Sequence, residues 1–411
     1  MTTDVLHPPP PGLGAEGRVV RDLADDLAVD AVERDRAGAP PFDETSRLRE
    51  SGLLAALTVP PGAERATSWE DACAVVRTIA AADSSVAELL ARHHVLSRTG
   101  HFLGSPERNF SSGGRTGHRT WLLAGDLGAG PVTEAARLRH GSLTITPVRG
   151  GYVLNGRRRL ATGVPVADRL VLGAVCSATG DIRVVLVDPD AEGVETEPIP
   201  DHERTGQRAG GAGLVDFQDV PLGPEALLGV VEGDGYRRAP FTALAPLATA
   251  LMLVQVALGT AEAALAEARD AILAGHRIHL PDPLDDDPVG EPTAEADLLH
   301  TWGELATSLY AASTVADRAG TAMGAALRRG QRLTAADRAE VAVLVATTEA
   351  VVAEAVPRIT ARVTELADPP GLDRHWRNAR VLLGRGSTAR RFRDIGSHFL
   401  YPSRGAPLAP G

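Results

Sequence analysis

The chain has 411 residues, a mass of 42.9 kDa, a 44% hydrophobic fraction and a mean hydropathy of −0.05, values of a soluble globular protein long enough for two or three structural units. Every one of its 42 basic residues is arginine, and the absence of lysine excludes Schiff-base catalysis, a pyridoxal-phosphate anchor and a Walker-type phosphate loop. A net charge of −11 with no block of like charge excludes a nucleic-acid-binding surface.

The first 17 residues, "MTTDVLHPPPPGLGAEG", carry a proline run where a signal peptide needs its apolar stretch, and read as a disordered leader. Residues 18–117 read as a helical domain. In it "FDETSRLRESGLLAAL" has apolar residues at helical spacing as far as "TVPPGAE", Ser68 starts a further helix, and Asp83-Ser84-Ser85 splits that helix in two. Cys73 and Cys176 match no metal or disulfide spacing and fit a reducing cytoplasm.

From 118 to 229 the period changes to two, which predicts a β domain. "GSLTITPVRGGYVLNGRRRLATG" alternates around Gly150-Gly151, "DRLVLGAVCSATGDIRVVLVDPD" reads as two strands around Ala178 to Asp181, and "GLVDFQDV" as another. Residues 230–411 return to helix, with elements expected near Phe241–Ala274, Thr293–Arg328 and Thr334–Leu366. The segment from Ala239 to Ala261 is uncharged and long enough to span a membrane, but one such Ala-rich stretch reads better as a buried bundle helix. Its apolarity also predicts a tetramer assembled through the C-terminal bundle. Helices, a β unit and a helical bundle give an α+β fold class. No GxGxxG follows a strand, so no Rossmann nucleotide site is expected.

This order, with "GGYVLNGRRRLATGVPVADRLVL" and "GQRAGGAGLVDFQDVPLGPEALLG" in it, resembles the acyl-CoA dehydrogenase superfamily from about Arg18 to Leu400. "LDRHWRNAR", "DSSVAELLARHHVL" and "GQR" resemble its flavin-dependent monooxygenase branch, of the dibenzothiophene monooxygenase type. The resemblance implies an N-terminal helical domain, a central β-barrel-like domain and a C-terminal four-helix bundle. It also implies reduced FMN or FAD delivered by a separate flavin reductase, oxygen bound at the flavin C4a, and oxygenation of a hydrophobic small molecule: hydroxylation, or N- or S-oxidation. Members are typically tetramers, which implies a homotetramer; the net charge and the single Ala-rich apolar segment leave neither a nucleic-acid nor a membrane partner expected.

The site residues follow from matching positions. A reactive oxygenated flavin needs a dry pocket and a hydrogen bond at the flavin N5. Thr162, between Ala161 and Gly163 at a strand end, matches the family's Ser/Thr at that atom; the alternative is an ordinary strand-end threonine. His93 follows Val86, Leu89 and Leu90 at helical spacing, and is either a satisfied core histidine or the family's active-site histidine. Arg277 suits a flavin phosphate or, equally, a helix C-terminus. Asp126 stands where the family has Asn, and His202 where it has Trp before Gly-Gln-Arg. After "RNAR" the family's His-rich turn becomes Val381-Leu382-Leu383-Gly384-Arg385-Gly386. Arg385, with glycine on either side, is expected either to turn into the pocket as a fixed cation or to lie solvated on a loop. The competing functions are a non-redox cyclase or lyase that uses the pocket without flavin, and an acyl-CoA dehydrogenase. The latter needs a carboxylate base, and neither Phe241–Gly259 nor Val381–Arg390 contains Asp or Glu.

Overall fold

The computed structural model describes residues 14–56, 67–104, 111–114, 117–128, 141–231, 239–275, 294–384 and 388–401. The N-terminal helices are α1 (Gly14–Ala28), α2 (Ala31–Ala37), α3 (Phe42–Glu50), α4 (Trp69–Ala82), α5 (Ser84–Leu96) and α6 (Thr99–Phe102). Helix α1 begins at Gly14, so the last residues of the expected leader are helical. Helix α3 stops at Glu50, short of the expected end, because Gly52 takes a φ of +77° and a 3-10 turn, Leu53–Ala55, follows. Ser68 caps α4 by accepting the Asp71 N–H. Asp83 makes the break between α4 and α5: its Oδ1 accepts the N–H groups of Ser85 and Val86, and its Oδ2 meets Arg34 Nε at 3.0 Å. A short residue with an acceptor side chain thus ends one helix and starts the next.

A hairpin of β1 (Ser111–Gly114) and β2 (Gly117–Thr120) straddles the expected boundary at 117, so its first strand falls inside the stretch read as helical. The main sheet contains β3 (Leu123–Asp126), β4 (Leu143–Val148), β5 (Gly151–Leu160), β6 (Arg169–Cys176), β7 (Ile182–Val187), β8 (Val194–Pro198), β9 (Gly213–Leu222) and β10 (Leu227–Val231). Its order is β10-β7-β6-β4-β5-β9-β8, with β3 added parallel to β6. No ladder joins β8 to β10 among the described residues, so the barrel-like sheet is open there. Strands β4 and β5 form the expected hairpin, Val148 facing Gly151 across a turn that needs Gly150 at φ +89°. Leu143, Ile145, Leu154, Leu160, Leu170, Leu172 and Phe217 fill one side of the sheet. Strands β8 and β10 were not expected from sequence: "VETEP" is almost wholly exposed, and "LLGVV" lacks alternation.

The C-terminal helices are α7 (Ala245–Gly275), α8 (Ala294–Arg329), α9 (Ala335–Leu366), α10 (Asp373–Leu383) and α11 (Thr388–Leu400). Helix α7 is long and apolar enough to cross a membrane, yet it lies inside the subunit, packed by α4, α5, α8, α9 and α10. Leu251, Met252, Val256, Leu258 and Leu265 are fully enclosed there. The buried-helix expectation therefore fits, and it removes the argument for a tetramer from this helix, whose apolar faces are covered within one chain. Exposed aromatics lie instead on the outer helices, at Tyr310 of α8 and at Phe392 and Phe399 of α11.

Helix α10 carries the "LDRHWRNAR" segment. Arg374 forks onto Glu267 of α7, Arg377 bridges Asp35 of α2 (2.7 Å) and Asp373 (2.8 Å), and Arg380 stacks over Trp376. Burial alone would raise the Glu267 carboxyl; His375 and Arg374 outweigh it and hold it down at about 2. The arginine-rich segment thus fastens α10 to α7 and α2, in keeping with a salt-bridged, aromatic-backed helix.

Candidate active site where the sheet meets helices α5 and α10

The turn Ala161–Val164 leaves β5 and is held by two carbonyls of the glycine-rich segment before β9. Gly163 N–H donates to Gly210 O (2.8 Å), Val164 N–H to Gly211 O (3.0 Å), and the Thr162 hydroxyl to Gly210 O (2.5 Å). Gly163 has φ +79°, and a Cβ there would stand 2.7 Å from Leu89 Cδ1 of α5, so the turn needs glycine for both backbone and space. Thr162 is buried and its proton is spent on Gly210; Ala161 is half-buried and forms the more open part of the turn.

Behind the turn lies a buried polar cluster built from parts of the chain far apart in sequence. The Gln207 N–H donates to Asn378 Oδ1 (2.6 Å), a contact spanning 171 residues. Asn378 Nδ2 donates to Ser84 Oγ (2.8 Å), and Ser84 and Ser85 both donate to Gln207 Oε1 (3.2 and 3.0 Å). Gln207 sits at φ +53°, and Gly210 N–H closes back on Gln207 O. Gly206 must be glycine, since a Cβ would overlap the Arg377 carbonyl of α10. So Asp83-Ser84-Ser85, Gly206-Gln207-Arg208 and Arg377-Asn378 meet, and through Gly210 they fix the Thr162 turn. A cavity of about 10 Å³ between Asp83, Ser84, Ala209, His375 and Asn378 has room for one water. Gln207 Nε2 is buried without a hydrogen-bond partner among the described residues.

The other sequence candidates are dispersed. His93 is fully buried beside this turn, where its Nε2 donates to Leu54 O (2.7 Å) and its Nδ1 accepts the Leu123 N–H (3.2 Å). Both nitrogens are spent in the neutral tautomer, and burial pushes the ring down to about 4, so His93 positions β3 rather than moving a proton. Asp126 is exposed, caps the Gly128 N–H, and lies 3.8 Å from Arg158 Nη1. His202 is 82% exposed on a 3-10 turn, away from any enclosed surface. Arg277 and Arg385 lie outside the described residues. Gly384 has φ −71°, an ordinary helical value, so it does not use the backbone freedom expected of it.

A cleft of about 420 Å³ flanks the residues after the turn, between α3 and Val164–Asp168, with Phe42, Thr45, Pro165 and Thr196 on its walls. Arg49 and Asp168, also on its wall, are joined at 2.8 Å. The volume suits a small organic molecule. Sequence reasoning missed Gln207, Ser84, Ser85 and Asn378 as site residues, although all four stand within the motifs that carry the resemblance. The signal was there, because small polar residues between apolar helical positions need buried partners.

Residues 251–384 match a family described as acyl-CoA dehydrogenase, C-terminal domain. The chain is similar to a probable FMNH2-dependent monooxygenase, SfnC, of Pseudomonas putida, at 27% identity over 414 residues and 99% of each chain. It is similar to a dibenzothiophene monooxygenase of Rhodococcus qingshengii, at 29% identity over 407 residues and 94% of each. Among solved structures it is similar to TdsC from Paenibacillus sp. A11-2 in complex with FMN and indole, with a TM-score of 0.79 and 26% identity, covering 96% of this chain and 98% of that one.

Proposed function

We propose that the chain is a flavin-dependent monooxygenase of the acyl-CoA dehydrogenase superfamily: it takes reduced FMN from a separate reductase and oxygenates a hydrophobic small molecule. The observation that carries this reading is the Thr162 turn, fixed between sheet and α5 by a polar cluster made of the three motifs typical of that branch. The residues suit a flat aromatic cofactor. Ala161 is the half-buried residue of the turn, while Gly163, Gly210 and Gly211 are packed against Leu89, Thr162 and Pro165 behind it, so a flat ring would meet the turn at Ala161 with a rigid backbone beneath.

Reduced FMN, when bound, supplies the electrons that activate dioxygen. This chain's own residues would hold the cofactor against the Ala161–Gly163 turn, with Arg277 proposed for its phosphate. Thr162 serves by shape and by its hydroxyl oxygen, since its proton is held by Gly210. The apolar helices α5 and α7 behind the turn keep water out. Arg385, outside the described residues, is kept as the candidate fixed cation, with a solvated loop arginine as its alternative. The proposal includes a homotetramer, for which the exposed aromatics of α8 and α11 are the supporting surface, and a cytoplasmic setting, which the buried free thiols of Cys73 and Cys176 support.

Dehydrogenation of an acyl thioester is disfavoured because the two segments where the superfamily keeps its carboxylate base contain no acid. The test is isotopic. Purified protein, a flavin reductase, NADH, FMN and indole under 18O2 should yield a product carrying one labelled oxygen atom. Reductase without the protein should yield none, and equal labelling in that control would count against the reading.

A further inference from the structure

Arg98, at the junction of α5 and α6, is only 7% exposed; its Nε is buried without a hydrogen-bond partner, and no ion pair joins it to another described residue. A buried guanidinium is costly without a counter-charge, and native proteins almost always provide one. Among the described residues none is offered by the two elements that pack most against α6: β10 and the 3-10 turn Thr242–Leu244 contain no Asp or Glu, nor does α6 itself. The titratable neighbours are instead His94, near the end of α5, and His101, in α6, both close enough to feel the charge of Arg98. Burial and the charge of Arg98 keep His101 neutral, and burial with His93 keeps His94 neutral, so neither offsets the cation or competes for an anion. His101 Nε2 and His94 Nδ1 are both buried without hydrogen-bond partners, while His94 Nε2 is engaged with Leu53 O. Phe241 meets the His101 ring edge-on at 4.9 Å, and Phe102 lies against Phe241, giving the place an apolar wall.

We propose that Arg98 and His101 form the anion-binding part of the substrate site, and that the substrate is a small organic acid whose carboxylate they hold against the Phe102–Phe241 wall. The guanidinium offers fork geometry to two carboxylate oxygens, His101 adds a ring N–H, and His94 Nδ1 accepts from any hydroxyl the acid carries. This rests on the monooxygenase reading only in naming the bound acid a substrate; binding itself does not depend on flavin.

The experiment uses thermal denaturation with benzoate as probe and benzamide as its neutral counterpart, on the flavin-free protein and on Arg98→Met, Arg98→Gln and Arg98→Lys. Benzoate should raise the wild-type melting temperature saturably and benzamide should not. Arg98→Met and Arg98→Gln should melt above wild type without benzoate, because a buried uncompensated charge is gone, and should weaken the benzoate response at least tenfold. Arg98→Lys should keep part of it. A lower melting temperature in both neutral variants, or an undiminished benzoate response, would overturn the proposal. Reduced FMN and reduced riboflavin are titrated separately and should bind the variants as they bind wild type. Loss of FMN affinity with riboflavin affinity intact would give Arg98 to the cofactor phosphate and overturn the substrate assignment. Benzoate binding in a wild type that binds no reduced flavin would keep the anion site and remove the monooxygenase reading instead.

Discussion

Asn378→Ala should weaken binding of reduced FMN by tenfold or more and lower the stability of the protein by about 2–6 kcal/mol. Asn378 supplies the acceptor for the Gln207 N–H (2.6 Å) and the donor to Ser84 (2.8 Å), both inside a buried cluster. Leaving two buried polar groups unsatisfied costs about 1–3 kcal/mol each. The loss reaches the cofactor side because Gln207 starts the short turn whose end, Gly210, accepts from Thr162 and Gly163. Asn378→Leu keeps volume without hydrogen bonds and should resemble the alanine variant. Asn378→Asp keeps the acceptor and should lie between. Anaerobic titration and thermal melts on the same samples separate the two effects. Wild-type affinity in the leucine variant would mean that Asn378 merely fills space.

Acid should destabilise the protein well above the usual carboxylate range. His93 and His94 are both completely buried, at about 4 and about 3, in each case chiefly through burial. Their folded values lie below the unfolded value of about 6.5, so below that pH the unfolded chain binds more protons than the folded one. Their contribution is complete above about 6.5 and is lost as pH falls toward 4, at up to about 1.4 kcal/mol per pH unit for each ring. His101 and His375, also lowered, act in the same direction. Glu267, held at about 2 by His375 and Arg374 against its burial, adds stability present above about 4.5 and lost below it. His94→Gln keeps a donor for Leu53 O and removes one titrating ring. Its melting temperature should fall less steeply between pH 7 and 5 than wild type. Parallel curves for the two proteins would show that His94 is not held neutral.

Local signals in the sequence were reliable where local chemistry sets the structure. Gly150-Gly151 gave the β4–β5 turn, Asp83 the break between α4 and α5, and Ser68 the start of α4, because each depends on one residue's backbone preference or side-chain acceptor. The uncharged α7 was readable as a buried helix, but not which neighbours cover it, and the inference of an exposed apolar helix failed for that reason. The site was harder to read. His93 had the spacing of a buried histidine and the match of an active-site one, and only the positions of Leu54 O and Leu123 N show that neither ring nitrogen is free. His202 and Asp126 occupy matching positions yet face solvent. Gln207 and Asn378 are 171 residues apart, and no periodicity joins them. The missing partner of Arg98 is likewise a property of what folds around it, invisible in "LSRTGHF" alone.

The most direct check of the central claim is an anaerobic titration of the purified protein with reduced FMN, followed by calorimetry or by tryptophan fluorescence. The predicted result is saturable binding at about one flavin per chain, with oxidised FMN bound more weakly and Asn378→Ala shifted at least tenfold. A well-folded protein that takes up no reduced flavin at any attainable concentration would contradict the monooxygenase function outright.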